Sequence, residues 1–151
     1  MRRSFKSLVG VTLLEIMLVL AIAAMIIIMS IRYYQSASAS EAANSLMAQI
    51  QAITASADNI SMGTAAGYSN VSTATLQNVL PGGTASLSTP WGGSISMSSP
   101  SATSYTVTVT LVPANVCPLV VSKIAASSRF SVTSSCGATA ASIVYTYSST
   151  S

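Results

Sequence analysis

Residues 11–31 form a run of 21 positions that is apolar except at Thr12, Glu15 and Ser30, and residues 16–29 carry no polar side chain. At about 1.5 Å per residue such a run makes a helix about 31 Å long, which matches the hydrocarbon core of a bilayer. Arg2, Arg3 and Lys6 precede it. The positive-inside rule therefore keeps the N-terminus in the cytoplasm and sends the rest of the chain out. Glu15 is the anomaly in this segment. A carboxylate inside an apolar helix costs a few kcal/mol on insertion scales, and such residues usually have a function and a partner.

Two other treatments of the segment fit less well. Arg2-Arg3-Ser4-Phe5-Lys6 has the look of a twin-arginine signal, and Ala37-Ser38-Ala39 would suit a signal peptidase. A secretory apolar region is shorter and holds no carboxylate, whereas this one includes Glu15 and is followed by Arg32-Tyr33-Tyr34. A cleaved secretory signal and a plain anchor are the alternatives. Charge elsewhere is sparse: beyond the first ten residues, Arg32, Lys123 and Arg129 balance Glu15, Glu41 and Asp58. The basic footprint of a nucleic-acid binder is missing, so no direct nucleic-acid partner is expected.

The run Gly10-Val11-Thr12-Leu13-Leu14-Glu15-Ile16, behind a short basic leader, resembles the class III signal of type IV prepilins. The resemblance implies a leader over residues 1–10, cut by a prepilin peptidase between Gly10 and Val11, with methylation of the new Val11 amine. Glu15 becomes the fifth residue of the mature chain, with Thr12 and Glu15 as assembly residues. The physics agrees: cleavage removes three leader cations and leaves one ammonium at Val11, a counterion for a buried carboxylate. Within one helix Val11 and Glu15 are an i,i+4 pair; in the family the pairing is intermolecular and aligns an incoming subunit with its neighbour. Many family members carry glycine or proline within this helix. Here Ala21, Ala23 and Ala24 stand in the segment and no proline precedes Pro81, which predicts a more continuous N-terminal helix in the assembled fibre than in members bearing those residues.

Past the apolar run, Ala39, Ala43, Leu46, Met47, Ile50, Ile53 and Ala57 recur at helical spacing. One helix over residues 11–57 is predicted, its first half (11–31) spanning the membrane and its second half lying on a head of residues 58–151. Met47 and Met62 read as gap-fillers rather than soft metal ligands. The head has only Lys123 and Arg129 as charges after residue 60, and more than a third of residues 60–151 are Ser or Thr. Disorder is the competing account of such a composition, but strand patterns oppose it. Tyr105, Val107, Val109 and Leu111 alternate with Thr106, Thr108 and Thr110; Ile95 with Met97, Phe130 with Val132, and Ile143 to Tyr147 supply shorter strands. Short connections favour antiparallel pairing.

Two short helices should interrupt the strands. One is capped by Ser72 or Thr73 and stops before Pro81-Gly82-Gly83; the other has Pro118 at its first position and Leu119, Val120 and Ile124 on one face. Pro90-Trp91-Gly92-Gly93 reads as a turn, with Trp91 anchoring the core rather than stacking on a ligand. Cys117 and Cys136 are either a disulfide, as export would favour, or two free buried thiols.

The predicted fold is therefore α+β: a long N-terminal helix packed on a small antiparallel sheet with a C-terminal disulfide loop. That order extends the pilin resemblance, and it looks most like the type IVb group, including the pilins of conjugative thin pili. Catalysis has little to work with. The chain has no histidine, and no nucleophile–base pair, phosphate loop or carboxylate pair is found; no enzyme activity, cofactor or metal is expected. What the resemblance implies is a structural subunit: a homo-oligomer in a helical filament, drawn from the inner membrane by an assembly platform and cytoplasmic ATPase machinery, and displayed outside the cell as a pilus for adhesion or conjugative contact. A pseudopilin or minor initiating subunit is the alternative.

Overall fold

A computed structural model describes residues 12–149, and these fall into two compact units that divide between Ala37 and Ser38. Helix α1, Leu13–Met62, runs unbroken for 50 residues, as the absence of glycine and proline from that stretch requires. It continues five residues beyond the expected end at Ala57. Asp58 does not stop it because its carboxylate is occupied by the Tyr68 hydroxyl, while the Ser61 hydroxyl donates to the Asp58 carbonyl at 2.8 Å. Side chains engaged in this way do not compete for the helix backbone. The helix ends before Gly63.

In the second unit, the stripe Ala39, Ala43, Leu46, Ile50, Ile53 and Ala57 is buried, with Met47 half-buried at its edge. It packs on a four-stranded antiparallel sheet formed by β1 (Ile95–Ser101), β2 (Ser104–Val112), β3 (Phe130–Val132) and β4 (Ala141–Ser148) in the order β1-β2-β4-β3. Ile95, Met97, Tyr105, Val107, Val109, Ile143, Tyr145 and Tyr147 face the helix. The other face is a ladder of hydroxyls, with Ser98, Thr106, Thr146 and Ser131 in register across all four strands. The α+β architecture is thus a helix on one face of a sheet, with neutral polar groups on the other.

The period-two pattern fails at one residue. Leu111 was expected to face inward with Val109; it is 56% exposed and Val112 takes the core position. The register between β2 and β4 shifts between Val109 and Val112, and Leu111 has φ 57°. An extra residue in one strand turns every later side chain to the opposite face. The clamp on the preceding peptide explains why the shift falls here. Trp91 Nε1 donates to the Thr110 carbonyl at 3.4 Å and the Thr110 N–H donates to Ser94 at 3.0 Å. Gly93 approaches that carbonyl so closely that a Cβ would lie 2.1 Å from it. A bulky residue at positive φ costs on the order of 1–3 kcal/mol.

The short helices form as the local chemistry dictates. Ser72 caps α2 (Thr73–Val79) in a reciprocal box with Thr75, and Gly82 and Gly83, both at positive φ, turn the chain after Pro81. The Thr73 hydroxyl accepts the Met97 N–H at 2.9 Å and donates to the Met97 carbonyl at 3.2 Å, covering part of the outer edge of β1. Two 3-10 turns, Gly67–Asn70 and Gly83–Leu87, have no counterpart in the sequence patterns. In α3 (Cys117–Ala125) Pro118 is the second residue rather than the first. The buried stripe is Cys117, Val120 and Ile124, a three-and-four spacing that turns Leu119 outward instead of onto the face expected for it.

Candidate assembly surface

The first unit holds the candidate site. No side chain of its membrane-length apolar window is buried. Leu13, Leu14, Met17, Leu18, Leu20 and Ile22 are each more than half exposed, and Met25, Ile26, Ile27, Ile28 and Met29 continue the pattern. So many uncovered aliphatics on one helix require an apolar medium or other protein against them. The Ser30 hydroxyl, at the end of the run, donates to the Ile26 carbonyl at 2.8 Å, which satisfies it within its own helix as an apolar environment demands. Arg32, Tyr33 and Tyr34 follow at once, both tyrosines exposed. This grouping of a cation and two aromatics is the kind enriched where a span meets water. An aromatic pair just beyond an apolar run is a signal legible in the sequence itself.

Gly10 and Val11, the expected cleavage and methylation positions, lie outside the described residues. Thr12 and Glu15 come together at the start of α1. The Glu15 N–H donates to the Thr12 hydroxyl at 3.3 Å and to the Thr12 carbonyl at 2.9 Å, so Thr12 acts as the N-cap and Glu15 sits three residues on, where a carboxylate favours the helix dipole. The spacing Thr-x-x-Glu is a capping-box pattern that sequence reasoning could have used. The Glu15 carboxylate itself has no partner among the described residues. The cap accounts for the helix start and leaves the charge available.

In the second unit the expected pair is bonded: Cys117 and Cys136 form a disulfide with Cα atoms 5.8 Å apart. Cys117 is buried at the start of α3 and Cys136 is exposed, so the bridge ties the irregular segment 133–140 to the core. Trp91 is half-buried against that core, as its sequence context implied.

An aromatic cluster was not anticipated. Tyr105 and Tyr147 stack at 4.8 Å between ring centres, Tyr68 meets Tyr105 at 5.3 Å, and Phe130 meets Tyr147 at 5.5 Å. Burial, with the Asp58 carboxylate as the next cause, pushes the Tyr68 hydroxyl above its ordinary range. Burial does the same to Tyr105, against a lowering hydrogen bond to Thr54 at 3.2 Å. Both stay protonated at neutral pH, so the cluster supplies packing and no base. Among the described residues no three acidic or thiol side chains converge as a metal site would require.

A family model described as PilS N terminal matches residues 40–151. No curated protein matches the chain, and no solved structure does.

Proposed function

We propose, from the premise that the chain belongs to the PilS N-terminal family of type IV pilin-related proteins, that it is a structural subunit of a type IV pilus of the IVb group, made as a prepilin and cut between Gly10 and Val11. The family accounts for assembly into a filament and for a structural rather than enzymatic role. The finer reading rests on the first unit: an apolar helix whose described side chains are not buried, carrying a carboxylate that has no partner among the described residues and lies four residues from the amine that cleavage would create.

Before assembly the aliphatics lie in the inner membrane; afterwards other copies cover them in the extracellular pilus. The Glu15 carboxylate, costly in either medium while unpaired, is neutralised by the methylated Val11 amine of an adjacent copy, with the Thr12 cap fixing the first turn that presents it. Copies joined head to tail by a contact that does not close on itself give a helical fibre. An assembly platform and cytoplasmic ATPase machinery supply the force. The hydroxyl-covered head, with the segment pinned by Cys117 and Cys136, is the outer surface for adhesion or conjugative contact. A pseudopilin or minor initiating subunit shares the first unit but would be scarce in fibres.

Mass spectrometry of sheared surface fibres tests this. The expected mature chain starts at Val11 with one added methyl, and Glu15→Ala should lose its leader yet yield no fibres. Fibres built from chains that retain Arg2 and Arg3, or normal fibres from Glu15→Ala, would overturn the reading.

A further inference from the structure

Leu111 is out of place by two criteria at once. A chain that needed only a bend there would use glycine or asparagine, the residues that adopt positive φ readily. It would not place there a leucine, whose bulk makes positive φ an outlier, with its side chain directed away from the core. Such outliers concentrate where function over-determines the backbone, and bulges commonly re-aim a side chain.

Next to the bulge lies a hollow. Ala39, Ala42, Pro90, Trp91, Pro113 and Val116 line it together with the polar Ser38 and Asn115, with Trp91 tied by its N–H to the carbonyl of Thr110 and Pro113 two residues beyond Leu111. The polar edge of Trp91 is thereby engaged, and the first six side chains named carry no charge. Ser38 and Asn115 are neutral as well, so the lining offers apolar contact area and no charge, which suits an aliphatic partner better than a charged peptide.

We propose that Leu111 and the Trp91 hollow seat the apolar part of α1, residues 13–31, from a second copy of the chain. The occupant follows from what the molecule leaves uncovered: in one polypeptide, an aliphatic helix with no side chain buried and an aliphatic knob beside an apolar recess. The two patches lie at different places in the chain, so a contact between them whose rotation does not close repeats from copy to copy and builds a fibre. The inference deepens the pilus-subunit reading and rests on it.

The test uses the full chain in producing cells. A photoreactive residue at position 111 should, in assembled fibres, give covalent dimers whose crosslinked peptide comes from residues 12–31 of another copy. Crosslinks confined to head peptides, or to lipid, would overturn the proposal. In parallel, Leu111→Gly and Leu111→Asn should leave the melting temperature of the detergent-solubilised chain unchanged or raised, because the strain is relieved, while sheared fibre yield falls at least tenfold; Leu111→Met should keep most of the yield. Normal yield from the glycine and asparagine variants defeats the proposal. Lost yield with a lowered melting temperature also defeats it, since Leu111 would then be a folding residue. Wild-type fibres starting at Val11 keep the subunit reading intact whatever position 111 reports.

Discussion

Two leucines on the same helix meet opposite fates. Leu46 is fully buried in the head unit, while Leu18 is 56% exposed in the first unit, although both belong to α1. The backbone conformation is the same, so hydrogen bonding within the helix does not distinguish them. What differs is whether the chain supplies its own cover. Around Leu46 the periodic stripe is three or four residues apart and meets the sheet; around Leu18 the neighbouring positions are apolar on every side apart from Glu15, and no single face is marked for a partner in the same molecule. One half of the helix is folded by its own protein's core, and the other leaves its aliphatic side chains exposed, to be covered in the proposed pilus by lipid and then by other copies.

The sharpest way to break that comparison is to make the same deletion in both places. Leu46→Ala should cost about 2–5 kcal/mol of head stability, read as a large drop in the denaturation midpoint of the solubilised chain. Leu18→Ala should leave that midpoint where it was and appear only as reduced fibre yield or fibre stability. Equal losses in the solubilised chain would mean that residues 13–31 are part of the same cooperative unit as the head.

The asymmetry also explains what the sequence made legible. Periodicity reports burial against a fixed partner, so the stripe on α1, the strands and the α3 pair Val120 and Ile124 could all be found from spacing. Ser72 and the Pro81-Gly82-Gly83 stop were legible because caps and turns are local chemistry. Leu111 was not, because the bulge is imposed by Trp91 and Gly93 gripping a peptide 17 to 19 residues further along the chain. The continuation to Met62 depends on Tyr68 reaching back to Asp58, another contact that no local pattern encodes. At the candidate site, Thr12 and Glu15 stand out as residues, and the Thr-x-x-Glu spacing that brings them together is itself local chemistry.

Alkaline titration sharpens the comparison, because the tyrosines of the two units sit in different surroundings. Tyr68, Tyr105 and Tyr145 are buried in the head, and burial raises each hydroxyl above its ordinary value of 10.0. A group whose folded value is raised contributes stability that is fully present below the unfolded value and is lost as pH climbs toward the folded one. The head should therefore hold its stability up to about pH 10 and lose about 1.4 kcal/mol per buried tyrosine by pH 11. Comparing the pH 11 loss in the parent and in Tyr68→Phe should show a smaller loss in the variant by about that amount. An identical alkaline slope would mean that Tyr68 ionises as easily folded as unfolded.

The smallest effect separates the two units most cleanly, because it uses one kind of interaction in two settings. Ser72 and Thr12 each accept the N–H of the residue three positions on, Thr75 and Glu15, at the same distance of 3.3 Å. Removing a hydroxyl cap costs about 1 kcal/mol wherever the helix it starts is coupled to the measured transition. Ser72→Ala should lower head stability by about that much, since α2 carries the fully buried Leu76 and Thr73 seals the edge of β1. Thr12→Ala removes the same contact from a turn with no core beneath it, so it should leave the head transition untouched. Its effect should appear as faster amide exchange at Glu15, whose N–H it bonds. If Thr12→Ala lowered the head transition as much as Ser72→Ala does, the first turn of α1 would be energetically continuous with the core, and an apolar half waiting for partners from outside the chain would have to be abandoned.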